Sequence, residues 1–345
     1  MQALLCGYYG FGNAGDEALL ATLLQMLPSQ IEPVVLSGNP AYTQTLHGVK
    51  TCDRNQPLQV LKTLWSSQAF IWGGGSLIQD GTSALSPLYY LGLMTLAQWR
   101  GLTTIAWAQG IGPLCRPWIR WMAGQVFRRC TAISVRDRAS ATLIAQWGLC
   151  ATLAPDPVWA LQNCPGPDLS HLSEPRVAIM VRPHPLLTPE HLERLTQALI
   201  QFQAQTQASL ILLPLQPSQD LALAQGIASR LPQPSMVIQV NTPASLKGLL
   251  ANVDLAISMR LHGLIMAAAE GCPCFALSYD PKVSQLMAEM PCPGWELSAL
   301  PDSQDILSTH WQDLLIPNLA QFSPAQSYRT QAMQHQQLLF KVFKA

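Results

Sequence analysis

Residues 253–283, VDLAISMRLHGLIMAAAEGCPCFALSYDPKV, carry the pattern from which the fold is read. The short apolar run 255–257 suits a strand buried in a parallel sheet. Residues 258–263 (SMRLHG) then make a turn, and 264–270 read as a helix stopped by Gly271 and Pro273. Residues 274–277 form the next strand, with Ser278-Tyr279-Asp280-Pro281-Lys282 just beyond its carboxyl end. Ligands of open α/β sheets sit outside the carboxyl ends of the strands. The pattern therefore sets Arg260, His262 and Lys282 on a functional rim: a fixed cation, a titratable imidazole and an ammonium. Together they suit an anionic substrate handled by acid–base chemistry.

The chain has 345 residues, too many for one typical core, so two domains of roughly 150 residues are expected. A hydrophobic fraction of 49% against 12% charged residues describes a globular rather than a disordered chain. The 20 Lys and Arg balance the 20 Asp and Glu, which leaves no electrostatic footprint for sequence-independent nucleic-acid binding. The 9 cysteines are scattered, odd in number and without a CxxC pair, which favours reduced thiols over a disulfide framework or a zinc site. The first residues, MQALLCGYYGFG, lack the basic region and cleavage site of a signal peptide. No apolar run reaches the ~18 residues of a membrane span. The expected location is the cytoplasm, with the inner face of the plasma membrane as an alternative.

Residues 3–6 read as a strand, followed by GYYGFGNAGDE (7–17) and a helix from about 18 to 26. Gly10, Gly12 and Gly15 match GxGxxG in a strand-to-helix turn, so a dinucleotide fold has to be weighed. Against it, no acidic residue ends the second strand, 34–36, and Asp16 and Glu17 would meet a pyrophosphate with like charge. Either both acids cap the helix, or Asp16 faces a cleft and handles a hydroxyl proton. Asn13, Glu17 and Gln109 are further candidates on the acceptor side of such a cleft.

A third strand at 69–71 leads into WGGGSLIQD (72–80). Consecutive glycines after a strand let a ligand approach and expose N–H groups that cradle an anion, which makes Gly74 and Gly75 candidates. A tight turn with a packing role is the alternative. A helix at 89–99 and a strand at 104–108 lead to another glycine turn, QGIGP (109–113). Segment 116–129 (RPWIRWMAGQVFRR) interleaves four arginines with aromatic and aliphatic residues. It either packs its apolar side on the sheet while the arginines snorkel, or touches an anionic membrane surface.

AISVRD (132–137) echoes AISMR (256–260): a strand ending in an arginine in each half of the chain, suited to present one arginine from each of two facing domains. A helix is expected from Arg136 through Trp147, stopped by Gly148. Alternatively Arg136 pairs with Asp137 or caps locally. Residues 154–158 read as the interdomain passage and 165–175 as a further Pro/Ser-rich linker. From 177 the alternation restarts, with strands at 177–181, 210–214 and 236–240 and helices at 189–206, 220–231 and 244–252. Arg182-Pro183-His184 and Leu215-Gln216 end their strands on the cleft side, and His184, between prolines, reads as structural rather than catalytic. Residues 291–308 are punctuated by Pro and acids, and 326–344 form a terminal helix.

GYYGFGNAGDEALL and SMRLHGLIMAAAEGCP, with WGGGSLIQD, QGIGP, SVRDR, PDPVW and SYDPKV in order and spacing, resemble the polysaccharide pyruvyl transferase family, CsaB type, over residues 3–290. The resemblance implies two Rossmann-like β/α/β domains facing a central cleft, similar to GT-B glycosyltransferases. The N-terminal domain (1–155) would form the acceptor side and the C-terminal domain (156–325) the donor side, with a terminal helix (326–345) packing back on the first. It also implies transfer of the pyruvyl group of phosphoenolpyruvate onto two hydroxyls of a sugar, giving a cyclic ketal and phosphate. The sugar would belong to a cell-surface polysaccharide or its lipid-linked precursor. Arg260, Leu261 and His262 match the family's donor-binding RLH, Arg136 its upstream arginine, and Asp16 and Lys282 its acidic and basic cleft positions. No cofactor beyond the phosphoenolpyruvate co-substrate is expected, and no DxD-type acid pair or His/Cys cluster marks a metal.

The residue chemistry fits that expectation by itself. Phosphoenolpyruvate carries a phosphate and a carboxylate, and the planar guanidinium fork suits both. An imidazole ordinarily titrates near neutrality, which casts His262 as the acid/base, with Lys282 neutralising the leaving phosphate and Asp16 accepting a hydroxyl proton. The runner-up is a GT-B glycosyltransferase using a nucleotide sugar, since the helix-Gly-x-Pro-strand segment 267–273 also occurs there, with Glu270 placed to hold a ribose. A non-catalytic module binding an anionic ligand is a third reading.

Overall fold

The computed structural model describes residues 1–81, 83–290, 292–316 and 325–344. The chain divides into two compact units, Met1–Leu161 with Tyr328–Ala345, and Gln162–Ser327. In unit 1 the described elements run β1 (Gln2–Cys6), α1 (Ala14–Met26), β2 (Glu32–Ser37), α2 (Pro40–His47), β3 (Lys50–Asp53), α3 (Pro57–Ser66) and β4 (Ala69–Ile78). They continue with α4 (Leu85–Trp99), β5 (Thr103–Ile111), α5 (Pro117–Arg128), β6 (Ala132–Val135), α6 (Arg138–Gln146) and β7 (Thr152–Leu153). The strands are parallel in the order β3-β2-β1-β4-β5-β6-β7, so the order reverses between β1 and β4.

Unit 2 repeats the plan with β8 (Arg176–Met180), α7 (Pro189–Thr206), β9 (Ser209–Leu212), α8 (Pro217–Ala228), β10 (Ser235–Val237) and α9 (Pro243–Leu250). Then come β11 (Leu255–Ser258), α10 (Leu261–Ala269), β12 (Cys274–Ser278), α11 (Pro281–Glu289), β13 (Gly294–Glu296) and α12 (Gln304–Leu314). Its parallel sheet is ordered β10-β9-β8-β11-β12-β13, reversing between β8 and β11. Two short helices, α13 (Ala325–Ala332) and α14 (Gln334–Lys344), end the described chain. Each unit is thus a doubly wound, Rossmann-like α/β sheet with its ligand-binding position expected at the switch point.

The sequence produces these elements by two devices. Helices cover both faces of each sheet, so the central strands are apolar on both sides, as in buried Leu4, Leu5, Val177, Ile179, Ala256 and Ile257. Several helices begin with proline directly after a side-chain cap: Asn39, Thr188, Thr242 and Asp280 accept from backbone N–H groups at the starts of α2, α7, α9 and α11. Proline fits there because its missing N–H would have no intrahelical partner.

Several expectations shift. The third strand is β3, whose KTCD sequence lacks the apolar run that marks a buried strand, and α2 and α3 on either side of it were also not predicted. The glycines expected in turns extend strands instead: β4 continues through Gly73, Gly74 and Gly75, and β5 includes Gln109 and Gly110. Helix α1 starts at Ala14, capped by Asn13 rather than by Asp16 or Glu17. Arg136 does not start α6; Asp137 caps it. Leu261 and His262, expected in a turn, form the first turn of α10. The 291–308 stretch contains β13 and the start of α12, with Pro291 itself outside the described residues. The boundary expected after 155 falls after Leu161, because Val158, Trp159, Ala160 and Leu161 are buried and Gln25 Nε2 donates to Ala160 O at 3.0 Å within unit 1. Residues 317–324 of the expected donor-side domain and Ala345 of the terminal helix lie outside the described residues.

In the basic segment, α5 buries Ile119, Ala123, Val126 and Phe127 in the core of unit 1 and leaves Trp118 and Trp121 exposed. No described helix is long and apolar enough to cross a membrane.

Helix α14 belongs to unit 1, and its buried His335 ties it there. Imidazole Nε2 lies 3.0 Å from the Pro155 carbonyl and Nδ1 3.0 Å from Ser134 Oγ. A carbonyl only accepts, so Nε2 carries the proton, and Nδ1 accepts from the Ser134 hydroxyl. Ser134 Oγ in turn accepts from Ala108 N at 2.8 Å, and Trp107 Nε1 donates to His335 O at 3.2 Å. Burial pushes the imidazole down from 6.5 to about 4. The native ring therefore stays neutral while the unfolded one takes up a proton as pH falls below 6.5. The stability this residue contributes is complete above 6.5, shrinks as pH falls, and stops changing below about 4. That gap corresponds to roughly 3 kcal/mol. The expected result is a steeper acid loss of Tm in the wild type than in His335→Gln over this window. Equal slopes would mean that other groups set the acid limit.

Candidate functional site

In unit 2 the side chains of interest stand at the carboxyl ends of four adjacent strands, β9, β8, β11 and β12, around the β8/β11 switch point. Arg260 caps the start of α10, and its turn is held by Ser258, whose Oγ accepts from Arg260 N and donates to Arg260 O, both at 2.9 Å. His262 follows in the first helical turn, half-buried, and Gly263 after it is required by close packing. A Cβ there would lie 2.6 Å from Met180 Sδ on β8. The sequence RLHG is thus a strand-end turn pressed against the neighbouring strand.

The Arg260 guanidinium is buried, with Nη2 donating to Asp220 Oδ1 at 2.5 Å, while Nε is buried with no hydrogen-bond partner. Asp220 sits fully buried in the first turn of α8, and its other oxygen accepts from Gln216 N at 2.9 Å. The preceding residue, Gln219, accepts from Arg182 Nη2 at 3.2 Å. Successive residues of α8 therefore hold the two guanidiniums that flank the switch point. Arg182 also donates from Nη1 to Tyr279 Oη at 3.0 Å and lies 5.2 Å from the Tyr279 ring centroid. Among the described residues no carboxylate is within ion-pair distance of Arg182, whereas Arg260 is neutralised by Asp220.

His184 packs its ring 4.6 Å from that of Tyr279 and accepts at Nδ1 from Leu186 N at 3.2 Å. Burial and then the Arg182 charge lower its pKa, against an opposing pull from Asp280. Asp280 caps α11 by accepting from Lys282 N at 2.9 Å, which sets half-buried Lys282 at the β12 end of the row. Glu270 lies elsewhere. It ends α10, which runs back from the strand ends, and its carboxylate meets buried Lys247 at 3.4 Å and Asn163 Nδ2 at 2.7 Å.

In unit 1 the candidates separate into packing and possible function. Glu17 is buried, accepting from Gly10 N at 2.9 Å and meeting His47 Nε2 at 3.0 Å, so it holds the glycine turn to α2. Asn13 caps α1 by accepting from Gly15 N at 3.0 Å. Gln109 is buried in β5, its Nε2 donating to Trp107 O at 2.9 Å. Gly74 and Gly75 adopt φ of +79° and +86°, and a Cβ on Gly74 would stand 3.1 Å from Leu19 Cδ2. Asp16 is half-buried beside Gly75, with Oδ1 3.7 Å from where a Gly75 Cβ would be. Arg136 is bound to Asp156 (Nη1 to Oδ2, 2.6 Å) and to Ser76 Oγ (3.1 Å). The alternative pairing with Asp137 is not made; Asp137 instead accepts from Ser140 N at 2.7 Å.

Asp220 and Asp156 escaped the sequence reading as partners of the two arginines. Their signal was an acid at the start of a helix, which reads as a cap, and Asp156 does cap the 3₁₀ turn Pro157–Ala160 as well. Among the described residues no group of three or more His, Cys, Asp or Glu side chains is placed to hold a metal ion.

Two parallel, doubly wound sheets, each reversing its strand order once, define a GT-B-like α/β protein. Solved structures agree on the fold. A Listeria monocytogenes protein assigned as a UDP-N-acetylglucosamine 2-epimerase superposes with TM-score 0.70 at 12% identity, covering 99% of this chain and 96% of that one. The UDP-GlcNAc 2-epimerase of Neisseria meningitidis bound to UDP-GlcNAc gives TM-score 0.66 at 10% identity over 100% of both chains. Anabaena Alr3699/HepE in complex with UDP and glucose gives 0.57 at 12% identity, covering 100% and 97%. No protein of curated function matches the sequence. The family model for polysaccharide pyruvyl transferase matches residues 13–281, and the chain belongs to that family.

Proposed function

We propose that this protein moves the pyruvyl group of phosphoenolpyruvate onto two hydroxyls of a glycan, forming a ketal and releasing phosphate. Within the family match, the observation that carries the reading is the pair Arg182 and Arg260, held on adjoining strand ends by Gln219 and Asp220, with His262 one helical step away. A donor with two anionic groups suits two forked guanidiniums. His262 delivers a proton to the enol carbon, and a sugar hydroxyl adds to the adjacent carbon. Phosphate then leaves, met by Lys282, and a second hydroxyl closes the ring, its proton returning to His262. On the acceptor side Asp16 takes up a hydroxyl proton. The Arg136 role in donor binding stays part of the proposal, with the Asp156 pair fixing its orientation.

The nucleotide-sugar reading is favoured by the UDP and UDP-GlcNAc named for the fold neighbours. The glutamate it would use, Glu270, lies at the opposite end of α10 from the strand-end row.

Thermal unfolding with phosphoenolpyruvate and separately with UDP and UDP-sugars tests the choice, because a ligand of the native state raises Tm with its concentration over Kd. Phosphoenolpyruvate is expected to raise Tm in the wild type and to lose that effect in Arg260→Ala. A response to UDP-sugars alone would replace pyruvyl transfer with glycosyl transfer.

A further inference from the structure

The chain as a whole balances its charges, yet the stretch between Asp53 and Asp137 carries eight Lys and Arg against one carboxylate, Asp80. That carboxylate is turned inward. Its side chain is fully buried, accepting from Cys115 N at 2.6 Å and from Arg116 N at 2.8 Å. The three helices of this stretch, α3, α4 and α5, contain no acidic residue. They pack on one face of the unit 1 sheet, contributing Val60 and Leu64, Leu91 and Met94, and Ile119 and Phe127 to a single core. Right-handed crossovers put them there together, because each helix leads to its next strand in the same direction across the sheet.

The outer sides of these helices are apolar where a solvated face would be polar. On α3, Leu58, Leu61 and Trp65 recur at helical spacing and are exposed, Leu58 by 84%. The outer stripe of α4 runs Leu85, Leu88, Gly92, Thr95 and Trp99 without a charge, and Trp99 is 85% exposed. On α5 the exposed Trp118 and Trp121 lead a stripe that ends in Arg128. Every exposed tryptophan among the described residues therefore lies on this one face. Gln98 Nε2 donates to Val126 O at 2.9 Å, which sets Trp99 and Arg100 beside the Arg128–Arg129 end of α5. Lys62, Arg100, Arg120, Arg128 and Arg129 are exposed among these rings.

Tryptophan is favoured at the headgroup level of a bilayer, where its ring meets the apolar boundary and its N–H meets water. Cations interspersed with such rings add attraction to anionic lipid. A protein partner would have to be uniformly acidic opposite three helices, whereas a surface of anionic lipid is so everywhere.

We propose that unit 1 docks on an anionic lipid bilayer through the outer sides of α3, α4 and α5, the tryptophans entering the headgroup region and the arginines drawn to its negative charge. The contact is peripheral, since no described helix is long and apolar enough to cross. The proposal is independent of the reaction assigned above.

The test is co-sedimentation of the full chain with vesicles of phosphatidylcholine alone and of phosphatidylcholine and phosphatidylglycerol in equal parts. Binding is expected to favour the anionic vesicles and to fall as salt is raised. Arg100→Gln combined with Arg129→Gln should weaken it about tenfold or more, at roughly fivefold per cation near the surface. Arg100→Lys with Arg129→Lys should bind like the wild type, because the attraction needs charge and no particular geometry. Trp99→Ser combined with Trp121→Ser should lower binding to both kinds of vesicle. All four positions are exposed, so these variants should keep the wild-type Tm. Arg230→Gln, at an exposed position of unit 2, is the control and should bind like the wild type. Absence of sedimentation with anionic vesicles, equal binding to the two compositions, or undiminished binding in the tryptophan variant overturns the proposal. So does a concentration-dependent dimer that the tryptophan variant abolishes, which would give this face to a second copy of the chain. Vesicle binding by a protein whose Tm ignores phosphoenolpyruvate would sink the donor reading alone.

Discussion

His262→Gln is expected to lower the rate of phosphate release from phosphoenolpyruvate by about 10²- to 10⁴-fold, the usual worth of a positioned acid/base. The variant should keep the wild-type Tm and the phosphoenolpyruvate-induced rise in Tm. The separation follows from geometry: His262 stands in the first turn of α10, half-buried, while the turn itself is held by Ser258, Arg260 and Gly263. Glutamine keeps polarity and approximate size but can neither take up nor deliver a proton. Near-normal turnover in a folded His262→Gln protein would remove the imidazole from the chemistry.

The second large effect is on stability. Asp220→Ala is expected to destabilise the protein by about 3–5 kcal/mol, because removing one member of a buried ion pair leaves the other charge uncompensated. Both partners qualify: the Arg260 side chain is 7% exposed and that of Asp220 is fully buried. Urea unfolding followed by tryptophan fluorescence reads the loss directly. Replacing both residues by apolar ones of similar size should recover most of the stability, since a buried pair gains little over good packing. That double variant should nevertheless bind no phosphoenolpyruvate. A loss below about 1 kcal/mol in Asp220→Ala would show that the pair resembles a surface salt bridge in its energetics.

The unequal legibility of the chain has physical reasons. The alternation of apolar strand and helix was readable because both faces of each sheet are covered, so 255–257 and 177–181 appear as continuous apolar runs. The glycine segments were misread because glycine after an apolar run signals a turn, whereas Gly73–Gly75 pack without side chains against Tyr9 and Leu19. Tyr9 Oη donates to Gly73 O at 2.5 Å, in space a Cβ would fill. Strand β3 was invisible because an edge strand need not be apolar.

In the candidate site, Arg260, His262 and Lys282 could be placed on strand ends from local pattern alone. Their partners could not. Asp220 is 40 residues from Arg260, and Gln219 is 37 from Arg182. Such pairs are created by strand order, which no local window contains.

The anchoring of α14 by His335 bears on the order in which the molecule is made. Unit 1 begins at Met1 but owns Tyr328–Ala345, with the whole of unit 2 encoded in between. During synthesis the first 161 residues emerge well before the histidine that satisfies Ser134 and the Pro155 carbonyl. A nascent chain therefore carries an incomplete unit 1, with Trp107 lacking the His335 carbonyl to which its indole donates, until the α14 segment has been made and docks.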